Sequence, residues 1–120
     1  MITRHKISVT TTGLAGAAVG DAQTDRALEG FLYAVQIDYH ASAPATTDLV
    51  ISEPTAGITI LTRANTSTDG MFYPRVEVCG PTGAGATLYD LVPIMDFVKV
   101  AIAESNALTG CAVVTLWVLE

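Results

Sequence analysis

Residues 31–39 read Phe31-Leu32-Tyr33-Ala34-Val35-Gln36-Ile37-Asp38-Tyr39, and this stretch decides the fold. Phe31, Tyr33, Val35, Ile37 and Tyr39 are large and fall on every second position, with Ala34, Gln36 and Asp38 between them. A period of two puts alternate residues on one face of a β-strand. The strand is therefore expected to bury a single face rich in aromatic rings. A polar turn follows over residues 40–47, and then a second strand-like run, Asp48-Leu49-Val50-Ile51.

Outward from this strand, glycines and prolines cut the chain into short pieces rich in β-branched residues, as strands require. Strands are predicted near 6–12, 15–19, 31–39, 49–52, 58–62, 71–73, 76–79, 96–103 and 111–119. Short strands with frequent turn signals specify a sandwich, a jelly roll or a small barrel. Val98, Val100 and Ile102 share one face of their strand. Residues 111–119 are apolar on both faces, which marks a central or doubly covered strand. The segment 104–110 reads as a hairpin loop between these last two strands. The best helical candidate, 87–95, is broken by Pro93 and leaves one turn near 88–91.

A chain of 120 residues, half of them hydrophobic, supports one domain with a real core. Only 15% of residues are charged, so part of the surface is expected to be covered by a partner. Twelve acidic residues against six basic ones give a net charge of −6. The cations Arg4, Lys6, Arg26, Arg63, Arg75 and Lys99 are scattered along the chain. Nucleic-acid binding needs a basic stripe, and an anionic membrane needs a basic cluster, so neither partner is expected. No apolar run approaches the roughly 18 residues of a membrane span. Residues 1–12 lead into a threonine-rich stretch rather than an apolar core, as expected of a chain without a secretory signal. Cys79 and Cys111 are then expected to be free, buried thiols.

Motifs that carry chemistry are weak. Residues 80–87 have the glycine spacing of a phosphate loop, and Thr87 stands where its hydroxyl would be. Ala86, however, occupies the lysine position, and Pro93 forbids the long helix that must follow. His5 and His40 have no metal-ligand spacing, and Asp21, Asp25 and Glu29 lack the alternating pattern of a calcium loop. No catalytic, cofactor or metal residues are predicted. Phe72-Tyr73-Pro74-Arg75 is more informative, since aromatic rings and arginine dominate binding hot spots.

The chain resembles the head decoration, or cement, proteins of tailed phages. The residues that carry the resemblance are 30–39, 44–51, the segment from Asp69 to Arg75, and the closing segments 99–103 and 113–120. It spans about residues 28–120. It implies one all-β sandwich of jelly-roll type with about eight short, mainly antiparallel strands. Residues 1–12 would form an N-terminal arm or edge strand. It implies a non-enzymatic, cofactor-free structural protein on the capsid exterior of a virion assembled in the host cytoplasm. Such a protein binds the major capsid protein, self-associates as a dimer or trimer, and avoids nucleic acid and membrane. Contact candidates are Ile7 and Val9 of the arm together with Phe72, Tyr73 and Arg75. The competing expectations are a head–tail connector or tail protein, and a small cupin-like enzyme or ligand-binding barrel.

Overall fold

A computed structural model describes residues 1–120. Ten antiparallel strands form two stacked sheets, and no residue is helical. The strands are β1 (Ile2–Val9), β2 (Ala18–Gln23), β3 (Gly30–Tyr39), β4 (Asp48–Glu53), β5 (Ile58–Arg63), β6 (Gly70–Phe72), β7 (Arg75–Cys79), β8 (Gly85–Ile94), β9 (Lys99–Ser105) and β10 (Ala112–Leu119). The six-stranded sheet runs β1-β10-β3-β8-β7, with β6 also paired to β3; the four-stranded sheet runs β2-β9-β4-β5. Setting β6 and β7 aside leaves β1-β10-β3-β8 facing β2-β9-β4-β5, the paired four-stranded sheets of a jelly roll. The two further strands are an insertion between β5 and β8.

The core lies between the sheets and follows the alternation of each strand. β10 buries Ala112, Val114, Leu116 and Val118; β9 buries Val100 and Ile102; β4 buries Leu49 and Ile51. β10 sits between β1 and β3, and its second face, Val113, Thr115, Trp117 and Leu119, is only partly covered.

Four features depart from the sequence pattern. First, β3 does not bury all five of its large alternating residues. Its register against β10 slips at Tyr33, because Leu32 pairs with Val118 while Ala34 pairs with Trp117. This β-bulge adds one residue and reverses which face the side chains meet. Val35, Ile37 and Tyr39 stay buried, but before the bulge it is Leu32 that points inward, and Phe31 and Tyr33 are turned to the outside. Second, residues 104–110 are not a hairpin loop: β9 and β10 lie in different sheets, so the segment crosses over the sandwich. Third, the segment expected to be a loop with one helical turn is β8. It pairs with β7 over most of its length and with β3 at its end. Pro93 lies beyond the last β7 pair, where one edge of β8 has no neighbour and a missing donor is tolerated. Fourth, Cys111 is buried as expected but Cys79 is exposed; both thiols are free.

Candidate interaction surface

The bulge in β3 builds an exposed aromatic cluster on the outer face of the six-stranded sheet. Tyr33 packs edge-on against Tyr73, with ring centroids 6.2 Å apart. Such T-shaped pairs align the positive ring edge with the negative ring face. The Arg75 guanidinium lies 5.7 Å from the Tyr33 ring centroid and 6.0 Å from that of Tyr73. Its Nη1 also donates to the Tyr33 carbonyl at 3.0 Å and to the Pro74 carbonyl at 2.8 Å. A bulge takes its extra residue out of the ladder, and Arg75 supplies a donor there. Arg75 thus fixes the bulge and orders both rings. Tyr73 is 56% exposed, Phe31 50% and Tyr33 43%; Met71 is exposed beside them.

Of the five contact candidates, Tyr73 and Arg75 reach this surface. Phe72 does not: it packs against the core, and the Arg63 guanidinium covers its ring at 4.4 Å from the centroid. Ile7 and Val9 are buried core residues of β1, so their side chains hold the sandwich and offer nothing to a partner. Sequence reading missed Phe31, Tyr33 and Trp117. Their apolar character reads equally well as core; the bulge turns Phe31 and Tyr33 outward, while Trp117 lies on the outer face of β10 by simple alternation.

The β7–β8 hairpin projects from the same sheet. All of β7 and the first six residues of β8 are exposed, including Val76, Val78, Leu88 and Tyr89. The molecule is correspondingly long, 48 × 29 × 25 Å. An isolated two-stranded ribbon is only marginally stable in water, so an apolar one is suited to lying on another surface. The glycine-rich residues 80–85 form the tip of this hairpin, with Gly80 N–H donating to the Ala84 carbonyl at 2.9 Å. Strand β8 follows, not a helix, so the phosphate-loop geometry is absent. Thr87 adopts φ 57° where the β7–β8 register shifts.

The other singled-out residues do not converge. His5 Nε2 lies 3.1 Å from Glu120 Oε1, while His40 Nδ1 accepts the Ser42 N–H at 3.0 Å in the loop after β3. Asp21 faces Lys99 at 3.7 Å. No three histidine, cysteine or acidic side chains are grouped as a metal site would require.

Glu120 anchors the end of β10. It receives His5 and, at 3.4 Å, Arg26 Nη2. Desolvation pushes its carboxyl up, but hydrogen bonds from Thr3 and His5 and the Arg26 charge together outweigh this and hold it below the usual range. A depressed folded-state pKa stabilises the fold above the unfolded carboxylate value, and that stability is lost as pH falls through the folded value. Glu120→Gln is therefore expected to melt below the parent at neutral pH, with the gap closing on acidification. Melting curves across pH test this; a gap that persists in acid would assign the effect to packing instead.

No family model and no curated protein matches this sequence. Among solved structures, the chain is similar to FlhE at 10% identity with a TM-score of 0.50, over 100% of this chain and 97% of that one. It is also similar to part of the infectious bursal disease virus VP2 subviral particle, at 13% identity and TM-score 0.40, covering 98% of this chain and 33% of VP2. A third match is the enzymatically active domain of bacteriophage CBA120 tailspike protein 4, at 12% identity and TM-score 0.40, covering 99% of this chain and 19% of that one. At these identities the FlhE match speaks for the sandwich fold alone.

Proposed function

We propose that this protein is a phage capsid cement protein that binds the outer surface of the major capsid lattice and stabilises it without catalysing a reaction. The observation that carries the reading is the exposed Tyr33–Tyr73 pair ordered by Arg75, with Phe31 and Met71 also exposed, on a face that the fold leaves uncovered. Tyrosine and arginine are enriched where binding energy concentrates, and a rigid cluster loses little entropy on docking. The β7–β8 hairpin extends the reach of this face. A lattice offers repeated sites, so copies that touch several subunits each, or that self-associate as dimers or trimers, sum modest contacts into strong stabilisation.

The test is a capsid prepared without this protein. It is expected to assemble but to rupture at a lower temperature, and added wild-type protein restores the rupture temperature. Truncating two hot-spot aromatics removes about 2 kcal/mol each, so Tyr33→Ala/Tyr73→Ala should bind roughly a thousandfold more weakly and restore little. Unchanged rupture together with tailless particles would replace this reading with a head–tail connector.

A further inference from the structure

Sheet edges are where one protein can extend another, and this molecule treats its edges unequally. Edge strands carry unpaired N–H and C=O groups, and bulges, shortness and charge blunt them. β2, β5 and β7 each carry a register shift against their neighbour, and β6 is three residues long. β1 alone is long and straight: eight residues pair with β10 from Ile2 to Val9 without a shift.

Two grooves flank this straight edge. A slot of about 340 Å³ separates residues 4–8 of β1 from residues 22–25 at the end of β2, with Asp25 on its far wall. A second groove of about 420 Å³ lies on the outer face of the sheet and is lined by Arg4, Lys6, Gln36, Thr115 and Trp117. It contains two cations and no acid. Arg4 and Lys6 are exposed, stand on the same face of β1, and make no salt bridge, although the chain has twice as many acidic as basic residues. Two like charges side by side with no acid between them make the groove locally positive and suited to an anionic partner.

We propose that β1 is a docking edge for an extended acidic segment of a partner protein. The segment adds as a further strand beside β1 and places alternate carboxylates on Arg4 and Lys6, next to Trp117. Strand addition draws affinity from main-chain hydrogen bonds and specificity from alternate side chains. Arg4 and Lys6 border both grooves, but the slot also holds Asp25 while the outer groove holds no acid, so the carboxylates are placed over the outer groove. The same cations disfavour a second copy of this chain, because antiparallel β1–β1 pairing centred on residues 4–6 would set Arg4 and Lys6 against like charges, which repel when directly opposed. The inference rests on the reading that the face meets a protein partner, but it concerns a different edge from the tyrosine cluster.

Trp117 is the sole tryptophan and reports on the groove directly. The purified protein is titrated with a short peptide of alternating glutamate and threonine, following Trp117 emission and amide hydrogen exchange. The expected result is a saturable emission change with slowed exchange along β1, and about tenfold weaker binding in Arg4→Gln/Lys6→Gln, whose sites are exposed. Equal binding of a glutamine–threonine peptide would overturn the acidic preference. Binding without β1 protection would overturn strand addition, and equal response to inorganic phosphate would reduce the groove to a general anion site. No saturable change overturns the proposal, while loss of capsid binding by the tyrosine variant alone would leave it standing.

Discussion

Ile37→Ala is expected to destabilise the sandwich by about 3 kcal/mol, and Tyr33→Ala by less than about 1 kcal/mol. Both residues occupy the same parity of β3, so simple alternation assigns them equal burial. Ile37 is fully buried in the core, and removing its side chain leaves a cavity that the two stacked sheets cannot close. Tyr33 lies beyond the bulge on the outer face and stacks only on Tyr73 and Arg75. Denaturant unfolding of the two variants measures both effects directly. Equal losses would mean that the bulge does not reverse the faces of β3, and the exposed aromatic cluster would dissolve with it.

Gly30→Ala is expected to cost more than about 3 kcal/mol, from backbone strain and collision together. Gly30 opens β3 with φ 154°, a conformation that side chains rarely allow. A Cβ there would stand 2.1 Å from the Leu119 carbonyl oxygen, a backbone atom of the neighbouring central strand. Relief would require moving β10 away from β3. Gly80→Ala is the control: nothing lies within 4 Å of its added Cβ, and the change should fall within about 0.5 kcal/mol of the parent. Thermal melts of the pair decide the matter; similar melting temperatures would show that β3 and β10 are packed more loosely than described.

Much of the architecture was legible because burial on one face writes a period of two into the chain. β4, β5, β9 and β10 lie within a few residues of their expected positions, and β10 shows its interior place in a run that is apolar except for Thr115. β8 was not legible. Its glycines and Pro93 are turn signals in isolation, and only pairing with β7 and β3 makes the segment extended. The sheet assignment of β9 and β10 was likewise invisible, since a crossover and a hairpin loop use the same polar residues. The surface site was half legible. Tyr73 and Arg75 stood out as hot-spot types, but Tyr33 looked like core. One inserted residue decides between those readings, and a bulge leaves no mark in residue type. The six cations are scattered as a set, but Arg4 and Lys6 stand two apart, and alternation places both on the outward face of β1 beside one groove.

The placement of β10 between β1 and β3 also governs how the protein reaches its native state. Both neighbours are synthesised long before β10 emerges, and neither pairs with the other. Until β10 arrives, the larger sheet lacks the strand that joins β1 to the rest of it. Its closure joins segments at opposite ends of the described chain, and such non-local pairing is slow. Ile7, Val9, Val35 and Ile37, buried in the finished sandwich, are then expected to lack the cover that β10 completes. Folding is therefore expected to be late and cooperative, with assembly gated by the arrival of one strand.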